Sequence, residues 1–284
     1  MRCQAVGCGK ALGDETAPVA LKSYFGRYPA GIIANRHFSC SVHDTIMLSF
    51  VIPAYNEEFE LGRTIAAIRD AANSTAEPYE IIVVDDGSTD ATPEIARTEG
   101  VTLVQIQRRQ IAASRNAGAL VARGDVLFFV DADTRISVAH IADALDALQA
   151  GFSGGSARVA IEGTIPRWAQ IFVRVFSVLY FSNNLGAGAF LFTTWENFEK
   201  IGGFDEKLFI GEEIYFSIAL KKIGRFRLLP VPIMTSGRKL RMYSGMQVLR
   251  GTLGILLRGP AAGRNRDNCA FWYDGRRERE AALE

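Results

Sequence analysis

The chain has 284 residues, 48% of them hydrophobic, and a formal net charge of +1, so it can fill one large core or two small ones. That balance excludes a disordered chain, and no nucleic-acid partner is expected. Four cysteines are too few to staple a fold of this length, and none lies between residues 47 and 268, which points to a reducing cytoplasm.

Residues 1–46 show no clear periodicity and hold Cys3, Cys8, His37, Cys40 and His43. This stretch reads either as a disordered extension, with the first strand starting after Met47, or as a loosely spaced zinc site. It lacks the apolar core of a signal peptide. From Met47 the pattern alternates. Leu48–Ile52 is a short apolar strand, and Phe59–Ala72 carries Leu61, Ile65, Ile68 and Ala72 at helical spacing. Ile81–Val84 is a second buried strand, closed by Asp85-Asp86-Gly87-Ser88-Thr89-Asp90, and Pro93 then suits the first turn of a helix. Val101–Ile106 reads as a strand, Ala112–Ala122 as a helix, Val126–Val130 as the central strand and Val138–Gln149 as a helix. Strand and helix in alternation predict an α/β fold with a mostly parallel, Rossmann-like sheet flanked by helices. After residue 150 the alternation weakens into longer apolar helices mixed with short strands, the smaller subregion of the domain. The most apolar stretch, Ile171 to Phe192, is interrupted by Arg174, Asn183 and Asn184, so no transmembrane helix is expected.

Ligands of such sheets sit beyond the carboxyl ends of the strands. Those ends are occupied by Pro53 to Glu57, by Asp85-Asp86 and by Asp131-Ala132-Asp133. In an extended segment Asp131 and Asp133 point the same way and can share one divalent cation, Mg2+ or Mn2+, of the kind that clamps nucleotide phosphates. An ordinary solvated turn is the alternative. Charge is also unevenly spread: residues 56–99 hold eleven acids against three arginines, and residues 221–268 hold eleven cations against Asp267. An acidic half suits a metal and a base, and a basic half suits phosphates or an anionic membrane surface.

Five blocks in order carry a resemblance: Val51 to Glu57, Val83 to Asp90, Ala113-Ser114-Arg115-Asn116-Ala117-Gly118, Gly124-Asp125 through Asp133, and Gly202 to Glu206 with Gly211-Glu212-Glu213. Over about residues 47–245 the chain resembles an inverting family 2 glycosyltransferase of the GT-A fold, with a nucleotide-binding half over 47–150 and an acceptor half over 151–245. The resemblance implies transfer of a sugar from a nucleoside diphosphate donor, a UDP-sugar above all, to a hydroxyl acceptor. It places Pro53, Tyr55 and Glu57 around base and ribose, gives Asp86 a hydrogen bond from the base with Asp85 assisting, and sets Arg115 toward the diphosphate. Asp133 becomes the direct metal ligand with Asp131 beside it. The base that deprotonates the acceptor falls in Gly211-Glu212-Glu213, where relatives commonly carry Glu-Asp. Glu213 is favoured, and Glu212 remains the alternative. Glutamates opening the helix Ile214–Ile223 for the sake of its dipole would look the same.

Ser236 to Arg241 lies where related enzymes place a loop over the donor, so Arg238 and Arg241 are expected to close on the diphosphate. Met246–Leu257, within the basic tail 246–284, reads as an amphipathic helix that packs on the domain or lies on an anionic leaflet through residues 246–258. The expected location is therefore cytoplasmic, with a peripheral contact at the inner face of the membrane. Two competitors stand beside the main reading: a transferase acting on a polyprenyl-phosphate acceptor, and a nucleotide-sugar binding or scaffold protein without turnover.

Overall fold

A computed structural model of the chain describes residues 45–163, 166–237 and 263–264. Strands β1 (Leu48–Ala54), β2 (Tyr79–Asp85), β3 (Thr102–Gln105) and β4 (Val126–Val130) alternate with helices α1 (Leu61–Asn73), α2 (Thr92–Thr98) and α3 (Ile111–Val121). Then follow β5 (Thr134–Arg135), α4 (Val138–Gln149), β6 (Phe152–Glu162), α5 (Arg167–Ser182), β7 (Phe190–Thr194), α6 (Trp195–Ile201), α7 (Glu212–Ile223) and β8 (Arg225–Ser236). The sheet runs β3-β2-β1-β4-β7-β6-β8-β5, parallel through its first four strands. From β4 onward the pairings are mixed: β7 is antiparallel to β4 and β6, β8 parallel to β6, and β5 antiparallel to β8.

Alternate residues of the central strands feed two cores, which is why β4, and β1 apart from Ser49, are apolar throughout. Phe50, Ile52, Phe128 and Val130 face Leu61, Ile65 and Ile68 of α1 and Ile141 of α4. Val51, Leu127 and Phe129 face α3, Phe198 of α6, and Phe216 and Leu220 of α7. Phe204 and Phe216 stack with centroids 4.1 Å apart and Phe129 meets Phe204 edge-on at 4.9 Å, so the floor beneath the second half of the site is aromatic.

The acceptor half departs from the expected short strands: β6 and β8 have 11 and 12 residues. Gly154 and Gly155 interrupt the apolar pattern of β6 because a Cβ there would meet the Phe192 and Arg227 carbonyls at 2.5 and 2.3 Å. Pro230 and Pro232 disguise β8, yet both fall inside the irregularity where pairing jumps from Ala157↔Leu229 to Val159↔Ile233. A bulge accepts a proline that a regular ladder rejects.

One glycine sets how closely α3 approaches the sheet. A Cβ on Gly118 would lie 2.3 Å from Val51 Cγ1 and 3.0 Å from Val84 Cγ2. Gly118→Ala is therefore expected to destabilise the domain by about 1–3 kcal/mol through overpacking, read as a lower urea midpoint with unchanged m-value.

Candidate active site

A cleft of about 320 Å³ opens beyond the carboxyl ends of β1, β2 and β4 and is closed on its far side by the segment entering α7. Pro53, Tyr55, Glu57, Asp86, Asp131, Asp133, Glu212 and Glu213 all line it. Asp85 does not. It is 2% exposed and accepts from Ser88 N–H at 3.1 Å, shaping the turn after β2 rather than facing a ligand.

Asp86 reaches the cleft already engaged. Its oxygens accept from the backbone N–H groups of Arg108, Arg109 and Gln110 at 2.6, 2.7 and 2.7 Å and from Ser114 Oγ at 3.1 Å. Four hydrogen bonds fill the acceptor capacity of a carboxylate. Asp86 thus organises the turn into α3 from the cleft wall. That turn holds Arg109 at φ 51°, with its guanidinium carbon 3.2 Å from the centroid of the Tyr55 ring and its side chain in the cleft wall. Sequence reasoning passed over Arg109. The rule that ligands gather beyond strand ends, applied to β3 as it was to β1, β2 and β4, would have flagged it.

Arg115 was expected at the diphosphate. Instead it is 1% exposed, behind the cleft wall, donating to Glu212 Oε1 at 2.7 Å, Asp131 Oδ1 at 3.0 Å and the Gly188 carbonyl at 2.8 Å. A buried guanidinium requires anionic partners. Burial alone would weaken its hold on the proton, but Asp131, Glu212 and Glu213 more than offset this and raise its pKa. Gly188 stays close because a Cβ there would crowd the Arg115 guanidinium at 3.1 Å.

The neighbouring Asn116 binds the next sequence block. Its side chain donates to the Phe204 carbonyl at 2.9 Å and to Glu206 at 3.0 Å, and accepts from Phe204 N–H at 2.9 Å. Gln110 donates to the Glu206 and Leu208 carbonyls. So α3 grips the loop 202–211, and Gly211, in the left-handed region at φ 80°, turns that loop into α7 with Glu212 and Glu213 in its first turn.

Asp131 and Asp133 sit in a turn rather than an extended segment, since Thr134 N–H donates to the Asp131 carbonyl at 3.0 Å. Both still face the cleft. Between them Ala132 is buried and its carbonyl accepts from Thr64 Oγ1 at 2.7 Å, while Asp133 accepts from Thr235 Oγ1 at 3.2 Å. The pair is thereby fixed from α1 on one side and β8 on the other. Burial pushes the Asp131 carboxyl up to about 6 against the pull of Arg115, and Asp133 adds to the rise. It is ionised at neutral pH.

The two glutamates differ. Glu212 is 4% exposed and tied to Arg115. Glu213 is half-buried, and burial, with the neighbouring Glu212 charge, pushes its carboxyl up to about 8. Its own backbone N–H and Arg115 pull the other way. A carboxylate with high proton affinity facing a cleft is equipped to remove a proton. Among the described residues no three His, Cys, Asp or Glu side chains gather to hold a metal by themselves. Arg238, Arg241, the helix expected over 246–257 and the cysteine and histidine set of the first 44 residues lie outside the described residues.

The model of glycosyl transferase family 2 matches residues 49–228. An undecaprenyl-phosphate 4-deoxy-4-formamido-L-arabinose transferase of Aeromonas hydrophila is 32% identical over 116 residues, covering 38% of this chain and 36% of that one. A dodecaprenyl-phosphate galacturonate synthase of Rhizobium johnstonii is 40% identical over 97 residues, 31% of this chain and 28% of the relative. Only about a third of these relatives' length is therefore matched. Among solved structures, S. aureus TarS residues 1–349 has TM-score 0.53 at 17% identity, covering 67% of this chain and 60% of TarS, and its complex with UDP-GlcNAc gives 0.52 at 18%, covering 68% and 59%. These neighbours share the GT-A fold.

Removing Arg115 leaves two carboxylates without their counter-charge. Arg115→Met is expected to cost about 3–5 kcal/mol of stability, measured by urea unfolding. Adding Glu212→Gln should cost less than the sum of the two changes, because both act on one pair.

Proposed function

The chain belongs to glycosyl transferase family 2, and on that basis we propose that it moves a sugar from a nucleoside diphosphate donor to a hydroxyl acceptor by a single displacement with inversion. The observation that carries this reading is the presence in one cleft of Asp131 and Asp133 together with a proton-seeking Glu213. In its deprotonated form, which the free protein populates as pH rises toward about 8, Glu213 takes the proton from the acceptor hydroxyl as its oxygen bonds to the anomeric carbon. The bond from that carbon to the diphosphate oxygen breaks, and its electron pair leaves with the nucleoside diphosphate. Glu212, held by Arg115, positions the first turn of α7. Pro53, Tyr55 and Glu57 border the nucleoside, and a UDP-sugar remains the expected donor. Beyond Ser236, Arg238 and Arg241 are proposed to close on the diphosphate.

Two carboxylates on one turn are the donor set that Mg2+ or Mn2+ accepts when substrate phosphates complete the sphere. Asp131, with its side chain 29% exposed, and Asp133 fit that description and would hold the ion. When bound it would neutralise charge on the departing diphosphate.

A second reading rests on the relatives whose names specify polyprenyl phosphates. A lipid phosphate is already an oxyanion and needs no base. Glu213→Gln separates the two. A hydroxyl acceptor predicts a loss of about 100–10,000-fold in kcat with donor affinity retained, whereas a phosphate acceptor predicts turnover close to that of the parent protein.

The same residue links function to stability. Between the ordinary carboxyl pKa of 4.5 and about 8 the folded protein holds a proton on Glu213 that the unfolded chain releases, so stability falls as pH rises and levels off above 8. Glu213→Gln removes this slope. Its melting temperature is expected to exceed that of the parent protein at pH 8.5 and to match it near pH 4.5. For the metal, Asp133→Asn is expected to abolish manganese-dependent donor hydrolysis and to erase the manganese-dependent part of the thermal shift given by UDP.

A further inference from the structure

Helix α5, Arg-Trp-Ala-Gln-Ile-Phe-Val-Arg-Val-Phe-Ser-Val-Leu-Tyr-Phe-Ser, is unlike the other helices of the domain. It is dominated by large apolar and aromatic residues, yet among its described side chains only Ala169 is buried. Arg167, Ile171, Arg174, Val178 and Ser182 are all exposed and follow one another at three- and four-residue spacing, with exposed Gln170 beside Ile171, so they form a single outward stripe. Ile171 and Val178 on that stripe are each 66% exposed, the most open large hydrophobic side chains among the described residues. The charges on the helix are both positive, Arg167 and Arg174, and no acid interrupts its 16 residues. Trp168 stands at the first turn, an amphipathic ring of the type that settles between lipid headgroups.

A helix this apolar is normally covered. No described helix is long and apolar enough to cross a membrane, so α5 would lie on a bilayer rather than span it. We infer that the exposed stripe of α5 docks on an anionic lipid surface, with Ile171 and Val178 entering the headgroup boundary and Arg167 and Arg174 meeting lipid phosphates. Charge complementarity selects this occupant, because an anionic leaflet accepts cations and apolar side chains on the same face.

The helix is also tied to the site. Tyr180 Oη donates to the Gly186 carbonyl at 2.8 Å, and Gly186 N–H donates to Ser217 Oγ of α7 at 3.0 Å. Lys221 of α7 donates to the Asn183 carbonyl at 2.8 Å, and Asn184 Nδ2 donates to the Phe226 carbonyl at 3.0 Å. A surface held by α5 is thus held in fixed relation to α7, whose first turn carries Glu213. The inference goes beyond the transfer reaction and holds for either acceptor chemistry.

The test is co-sedimentation of the full chain with vesicles of phosphatidylcholine alone or mixed with phosphatidylglycerol. The expected result is binding to the mixed vesicles that weakens with added salt, and at least about tenfold weaker binding for Ile171→Glu/Val178→Glu. Arg167→Glu/Arg174→Glu should lose the preference for phosphatidylglycerol. Both pairs are exposed, so melting temperatures should match that of the parent protein. Three results would overturn the inference: a parent chain that stays in solution with anionic vesicles, a helix variant that sediments like the parent while Arg250→Glu/Arg258→Glu does not, or a parent dimer that the Ile171→Glu/Val178→Glu change makes monomeric, which would assign the stripe to a second copy of the chain.

Discussion

The contact on which the site depends is the buried guanidinium of Arg115, bonded at once to Asp131 after β4 and to Glu212 at the start of α7. These two carboxylates are 81 residues apart in sequence and belong to different halves of the domain. Desolvating such a triad costs several kcal/mol per ion, so it is a poor source of net stability. What it supplies is a fixed geometry. With Arg115 seated, the turn bearing the Asp131 and Asp133 pair and the helix bearing Glu213 have one relative placement.

Around that centre, several acids bind the backbone of the loops. Asp86 gathers three successive N–H groups from 108–110, Asp85 takes the N–H of Ser88, and Asp90 caps the start of α2 through Thr92 N–H at 3.0 Å. Loops at strand ends carry orphan donors, and a short carboxylate is the cheapest acceptor for them. This explains why a string of acids at three strand ends reads as a ligand site in sequence. Part of it builds the loops, Asp86 does so from the cleft wall, and Glu57, Asp131 and Asp133 face the cleft.

Legibility from sequence follows the same division. Strands β1, β2 and β4 and helices α1, α3 and α4 are clear because continuous apolar runs and 3.6-residue spacing are local signals. Asp131 and Asp133 are legible because strand ends converge in this topology, and Glu213 through the resemblance of Gly211-Glu212-Glu213 to the family's pattern. Strands β6 and β8 were obscured by Gly154, Gly155, Pro230 and Pro232, whose meaning lies in the backbone of neighbours far along the chain. The placement of Arg115 was misjudged for a related reason: an arginine that serves two buried acids and one that serves a diphosphate look alike until the acids are located in space.

Charge closes the argument about what the cleft can receive. Among the described residues, six carboxylates line it, those of Glu57, Asp86, Asp131, Asp133, Glu212 and Glu213, and Arg109 is the one cationic side chain in the lining. The compensation that exists is spent inside the wall, since Arg115 is consumed by Asp131 and Glu212 and the Asp86 charge by backbone donors. A diphosphate entering this space would meet net negative charge at short range in a medium less polar than water, where repulsion between like charges is several-fold stronger than in bulk solvent. An anionic donor therefore requires positive charge to arrive with it or to close over it. On the proposed function, the Asp131 and Asp133 turn is where a divalent ion would arrive. On this reasoning donor affinity without the ion should be poor for an electrostatic reason alone, before any question of leaving-group chemistry arises.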